Sequence, residues 1–472
     1  MFDGAIARAE SLRGSFTVAE RAAFFRSGAV RKSYWGRIRI AARASQDAGD
    51  AADEFFEAVA RSETIRARQL GDRLDAAASI DAAALRRHAD TLSPSKIVVA
   101  FVVMEDATWV SAFGRGVQKS AFVPLGREAL EARVRALLPM LSDPRSDVRS
   151  IERASLALSN ELLAPVAALL NGRTQYTFVP DGPLALIPPT LFSLDAKSYR
   201  PLGLQADVCV VPAVRLLLRA AAREPARDSL WALADPAYPR SVAALDDEAS
   251  RQTAKRIVAS APAATRGRLR SISAGAVAIP RLPETRGEVE AIARMFDRNA
   301  TTLKLGSAAS KAGLAGAELS QAAYVHLATH GILAGEVPGL GEPALVLAAG
   351  AAPGDAFLRA SEAEALELHA RVTVLSACST GSGVEYSGEG VMSMSRAFLI
   401  AGSRHVLMSM WPVESRTTVD LMVAFYGANR KGATMPAALR SAMRQVRASK
   451  PHPMYWAPFV LVRSGAADRA TP

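Results

Sequence analysis

Two stretches of the chain end an apolar run in a reactive side chain. They are Tyr324-Val-His-Leu-Ala-Thr-His330-Gly331 and Val372-Thr-Val-Leu-Ser-Ala-Cys378-Ser-Thr-Gly381. A thiol attacks a carbonyl carbon well only as thiolate. A neighbouring imidazole lowers its pKa and later protonates the leaving group. As two neighbouring strands of an open α/β sheet, these runs set His330 and Cys378 beyond the carboxyl ends, where such sheets gather functional groups. Gly331 has no side chain to bar a substrate from the backbone. Its N–H and that of Cys378 form a candidate oxyanion hole for a tetrahedral intermediate. The chemistry this describes is acyl transfer through a thioester.

The remaining candidates have plainer readings. Cys209, the other of two cysteines, lies in the β-branched run Asp207-Val-Cys-Val-Val211 and reads as a small core hydrophobe. Two cysteines build no disulfide framework. His326 falls on the same strand face as His330 by alternation. It reads as a hydrogen-bonded core histidine, with a supporting role behind His330 as the alternative. His405 and His452 read as structural. Zinc-ligand spacing and a glycine-rich phosphate loop are both missing from the sequence, so neither a metal nor an organic cofactor is expected.

The elements that must hold the pair alternate between strand and helix. Residues from about 16 to 90 are rich in Ala, Arg, Glu and Leu, with Phe55, Val59, Leu70 and Leu74 between charges, a pattern of amphipathic helices. Strands are expected at Ile97–Met104 and Trp109–Phe113 about a Glu105-Asp106 turn. Helices are expected at Glu128–Leu138 and Ile151–Leu170, and strands at Tyr176–Val179 and Val208–Val211. A second block opens near Leu230, with a helix at Glu288–Phe296 and strands at Tyr324–Ala328, Val372–Leu375 and His405–Met410. Its later helices span about Val391–Ile400, Thr417–Tyr426 and Pro436–Val446. In the middle one, Val419, Met422, Val423 and Tyr426 share a face. The pattern predicts an α/β layer on a mostly parallel sheet, divided as 1–90 helical, 91–228 a first α/β half and 229–466 a second.

At 472 residues and half hydrophobic, the chain can bury more than one core. No apolar run approaches the roughly 18 residues of a membrane span, and Asp3, Arg8, Glu10 and Arg13 interrupt the first residues where a signal peptide would be apolar. A cytoplasmic setting is expected. The charge of +11, from 57 basic and 46 acidic residues, is scattered rather than striped, so direct nucleic-acid binding is not expected. Six basic and no acidic residues lie between Arg251 and Arg270, which reads as an exposed, mobile loop.

Several segments together resemble the CHAT family of caspase-like cysteine peptidases, relatives of separase. They are Ala234-Asp-Pro-Ala-Tyr238, Leu282-Pro-Glu-Thr-Arg286, Val325 to Gly331, Leu375 to Gly381, Gly388-Glu-Gly390, Arg396-Ala-Phe398, Ala401-Gly402, Met410-Trp411, Phe425-Tyr426 and His452-Pro-Met-Tyr-Trp456. Upstream, Pro180-Asp-Gly-Pro-Leu184 and Ile187-Pro188 also match. The spacing of His330 and Cys378 agrees with the caspase pattern of a His roughly 50 residues before an Ala-Cys dipeptide. The resemblance implies a caspase-like α/β fold with helices flanking a mostly parallel sheet. It implies that residues 91–228 are a degenerate protease-like half packed on a catalytic domain at 229–466. It carries the base onto His330 and the nucleophile onto Cys378. Members commonly bear helical repeats upstream and are switched on by a bound partner, often in bacterial defence. With only a short helical lead here, the sensor or activator is expected to be a separate protein.

The specificity pocket is placed around Ser376, Trp411, Glu414 and Ser415, where a strand gives way to a helix. Separases, which cut after arginine, carry an acidic residue four positions past the matching tryptophan. Ser415 stands there, also a natural helix N-cap, with Glu414 beside it. The sequence therefore describes a partner-activated cysteine endopeptidase acting on a protein substrate. Two alternatives stay open: a catalytically silent scaffold on the same fold, and a Cys-His hydrolase of small molecules.

Overall fold

A computed structural model describes residues 2–11, 28–69, 80–219, 225, 227–238, 242–243, 276–277, 279, 281–334, 337, 340–350, 353–376, 389–411 and 415–465. Arg251 to Arg270, Leu70 and Leu74 lie outside the described residues.

The strands in chain order are β1 Lys96–Val103, β2 Thr108–Gly114, β3 Val117–Val123, β4 Gln175–Val179, β5 Asp207–Val210, β6 Leu230–Pro236, β7 Val242–Ala243, β8 Ala276–Val277, β9 Thr301–Gly306, β10 Tyr324–Ala328, β11 Gly331–Ile332, β12 Ala344–Val346, β13 Phe357–Arg359, β14 Val372–Leu375, β15 His405–Ser409 and β16 Phe459–Arg463. Eleven of them form one sheet in the order β3-β2-β1-β4-β5-β16-β15-β14-β10-β6-β9. Neighbours are parallel except β1 with β2, β2 with β3, and β15 with β16. Strands of the 91–228 stretch and of the 229–466 stretch thus lie in one sheet, meeting where β5 pairs with β16.

A sheet covered on both faces needs apolar residues at odd and even positions alike, and the central strands supply them. In β1, Ile97, Val99, Phe101 and Val103 join one core, while Val98, Ala100 and Val102 join another. In β6 and β10, Leu230, Ala232, Tyr324 and Ala328 face the first core and Trp231, Leu233, Val325 and Leu327 a third. The first core is roofed by helices 127–142, 148–163, 284–293, 415–430 and 435–449. The second is closed by the N-terminal helices 28–47, 52–69 and 82–91, through Tyr34, Trp35, Ile38, Phe55, Phe56, Val59 and Leu85. The expected helical lead is therefore a lid over β1 and β2.

Several boundaries differ from the sequence reading, each for a local reason. The helix expected at 151–170 breaks: an α-helix ends at Leu163, a 3-10 turn holds Ala164–Val166, and a short helix follows. Pro165 has no N–H to continue the ladder. The helix expected at 288–296 starts four residues earlier, immediately after Pro283, in keeping with proline's fitness for a helix start. The buried stripe of helix 415–430 runs through Thr417, Leu421, Met422, Phe425 and Tyr426, with Val419 and Val423 only partly covered. That corrects the expected face by one position. No described helix is long and apolar enough to cross a membrane.

Candidate active site

Strand β10 is buried along its whole length between β14 and β6. Its register with β14 is constant: Tyr324 pairs with Val372 and Leu327 with Leu375, an offset of 48 positions. Two residues past the strand end stands His330, 6 % exposed. Its carbonyl accepts the Val346 N–H at 2.9 Å, and the chain turns at once into β11, which pairs antiparallel with β12. The imidazole therefore sits at the joint between the large sheet and the small β11-β12-β13 sheet. Because Val346 bonds His330, the antiparallel alternation makes Gly331, opposite Leu345, a non-hydrogen-bonded position whose N–H turns away from β12.

The other expected site residues fall as follows. Ser376, one residue past β14, is buried at its carboxyl end. Cys378 and Glu414 lie outside the described residues, and Ser415 is the first residue of helix 415–430. Trp411 is buried in the first core, and its indole N–H donates to the Met454 carbonyl at 3.2 Å.

His326 has the core role. Its Nδ1 meets the Tyr426 hydroxyl at 3.1 Å and its Nε2 the Glu288 carboxylate at 3.0 Å, all three being buried. Burial also drives the Tyr426 phenol well above its ordinary pKa. Cys209 is a buried core residue of β5. His405 Nδ1 meets the Arg371 carbonyl at 3.0 Å, and His452 caps helix 453–456.

Two groupings beside His330 have no role in the sequence reading, although their segments were among those carrying the resemblance. The Tyr238 ring lies against the imidazole with centroids 5.3 Å apart. Its hydroxyl meets Thr329 Oγ1 at 2.8 Å. Just upstream, Asp235 holds a left-handed φ of 46° where the β6–β9 register slips. Its carboxylate, 1 % exposed, takes a bidentate pair of bonds from Arg281 at 2.8 and 2.9 Å and one from Arg286 at 3.2 Å. Burial alone would raise this carboxyl's pKa, but the two guanidiniums outweigh it and hold it below the ordinary range. The spacing of Asp235 and Tyr238 in one segment, ahead of Arg281 and Arg286, was the available signal. Nothing in the residue types says which partner each takes. Among the described residues no group of three or more His, Cys, Asp and Glu could hold a metal ion.

A profile of the CHAT domain matches residues 152–464. The chain belongs to the CHAT family. Curated relatives of this CHAT protein include tetratricopeptide repeat protein 28 of Homo sapiens, 37 % identical over 110 residues, and that of Mus musculus, 34 % identical over 110 residues. Those matches cover 23 % of this chain and 4 % of each relative. Among solved structures, separase of the Saccharomyces cerevisiae separase–securin complex aligns with a TM-score of 0.53 at 9 % identity, over 87 % of this chain and 34 % of that one. At that identity the likeness concerns the fold: a large, mostly parallel sheet flanked by helices, as in a caspase-like protease.

Proposed function

We propose that this CHAT protein is a cysteine endopeptidase in which His330 activates Cys378, and that a separate protein partner opens it to substrate. The observation that carries the reading is the constant offset of 48 between β10 and β14, which equals the sequence separation of His330 and Cys378. The strands that lead into these two residues therefore run side by side and end at the same edge of the sheet. Adjacent parallel strands lie about 4.8 Å apart, a span an imidazole and a thiol can close. The outward turn of the Gly331 N–H supports its assignment to an oxyanion hole.

In the proposed cycle the Cys378 thiolate attacks the carbonyl carbon of the scissile peptide bond. The oxyanion that forms is held by the N–H groups of Gly331 and Cys378. His330 gives its proton to the leaving amine, and a thioester remains. Water, deprotonated by His330, then cleaves the thioester and returns thiol and imidazole to their starting state. The partner requirement rests on the family resemblance alone. The bacterial defence or signalling setting is likewise taken from the resemblance, and the curated relatives, which are animal proteins, do not speak for it.

The test is labelling with an acyloxymethyl ketone probe, then cleavage of a peptide library by the chain alone and with proteins encoded beside it. Cys378→Ala and His330→Ala are each expected to abolish labelling and turnover, and the double variant to be no worse than either. Turnover by Cys378→Ala would refute the mechanism. A wild-type chain that never labels, with any partner, would instead establish the silent scaffold.

A further inference from the structure

We infer that Tyr238 is the positioning residue that holds the His330 imidazole in its working orientation, a role that rests on the proposed Cys378–His330 reading and deepens it. The case begins with hydrogen-bond direction. Thr329 has one hydroxyl proton, and it goes to the Val346 carbonyl, which can only accept. Thr329 Oγ1 must then accept from Tyr238, so the phenol donates at 2.8 Å. The phenol oxygen in turn receives a backbone hydrogen bond from His330. The run is directed: His330 N–H to Tyr238, Tyr238 O–H to Thr329, Thr329 O–H to Val346 carbonyl. It closes on itself, because the Val346 N–H donates to the His330 carbonyl at 2.9 Å. Both backbone groups of His330 are thereby tied, while the Tyr238 ring covers the imidazole at 5.3 Å with a 47° tilt.

Such a clamp works only if Tyr238 cannot swing away, and the chain around it is pinned from several sides. Asp235 N–H donates to Thr285 Oγ1 at 2.9 Å, and its carboxylate is gripped by Arg281 and Arg286. Ala237 N–H donates to the Gly306 carbonyl at 3.0 Å, and the Ala237 carbonyl accepts from the Ala349 N–H at 3.1 Å. The left-handed φ of 46° at Asp235 is a conformation that L residues adopt only when the surroundings impose it. Here it turns the chain off β6 so that Tyr238 reaches across the end of β10. The ring also packs on the small core of Val337, Leu340, Ala344, Val346, Ala356 and Phe357. Burial pushes the phenol pKa up to about 12, so the donor proton is present throughout the working pH range. A general base performs when a third group fixes its ring, and Tyr238 with Thr329 does so for His330.

The test reads the thiol directly and needs no activator. Alkylation of Cys378 by iodoacetamide is followed against pH by mass spectrometry in the full chain, with buried Cys209 as internal reference. In the wild type the rate should report a thiolate pKa depressed below the ordinary value of about 8.5, and His330→Ala should restore that value. Tyr238→Phe keeps the ring and loses the bonds, so an intermediate pKa is expected. Tyr238→Leu loses both and should approach His330→Ala, and once an activating partner is in hand kcat on a cleavable peptide should be down by about 100-fold with KM little changed. Should Tyr238→Leu fail to fold, Tyr238→Phe and Thr329→Val answer alone. A wild type that matches His330→Ala overturns the Cys–His reading, and this inference with it. A depressed wild-type pKa left unmoved by Tyr238→Phe, Tyr238→Leu and Thr329→Val overturns the positioning role while the Cys–His reading stands.

Discussion

At the scale of single residues, a pH effect on stability belongs to His88. Burial, the Arg463 charge and the Lys96 charge together push its pKa down to about 4, from an ordinary 6.5. Its Nε2 is buried with no hydrogen-bond partner among the described residues. Between those two values the unfolded chain holds a proton that the folded chain refuses. The contribution is therefore intact above pH 6.5 and lost as pH falls toward 4. The expected cost on acidification is roughly 1–3 kcal/mol. Urea midpoints from pH 7 to 4.5 should fall less steeply in His88→Gln than in the wild type; equal slopes would remove His88 from the account. Whether a histidine is a base, a core bond or a suppressed charge depends on its neighbours, and the sequence distinguishes these cases unevenly. His326 was legible as a core residue because it sits inside an apolar strand. His88, among the helical residues of 82–91, gave no sign that Lys96 and Arg463 would close on it. Trp411 drew attention because the next residues change texture, and nothing in that pattern names the Met454 carbonyl to which its buried indole N–H donates.

At the scale of elements, the turn into β15 offers a test of the Ala401-Gly402 segment. Gly402 has a φ of 117°, and a Cβ there would sit 2.0 Å from the Leu368 carbonyl oxygen. The Leu368 N–H meanwhile donates to the Ala401 carbonyl at 2.7 Å, so neither strand of chain can retreat without losing a bond. Gly402→Ala should cost about 2 kcal/mol or more, read as a lower denaturation midpoint. An unchanged midpoint would mean that the turn is softer than its contacts indicate. Strands buried on both faces were readable because continuous apolar runs leave little else to be: 97–103, 324–328 and 372–375 all stand where the pattern sets them. The edge strand β9, Thr-Thr-Leu-Lys-Leu-Gly, is half-buried throughout, and its alternation, Leu303 and Leu305 about Lys304, is too short to stand out in the sequence. Strand β16 is fully buried, but its place is decided by partners far away in sequence, β5 and β15. Local pattern holds no record of such pairing.

At the scale of the molecule, that last strand is the middle of the sheet, with five strands to either side. A chain ending before Phe459 should leave β5 and β15 each with a bare edge. Hydrogen exchange on a variant stopped after Ala457 should show fast exchange in 207–210 and 405–409 alike. Protection confined to one of them would indicate that one side stands without the shared strand. The central place of β16 also sets a timetable. During synthesis Val210 must wait for Val462, its register partner, so some 250 residues leave the ribosome before the gap can close. Until then the nascent chain presents two open sheet edges of buried-type sequence, the situation that invites mispairing or a chaperone. For a protein read as a protease there is a gain in that delay. An interrupted translation product lacks the strand that braces β15, and through it β14 and β10, so a fragment is released without a firmly built cutting site. On that reading, synthesis as far as β16 is the first control on cleavage.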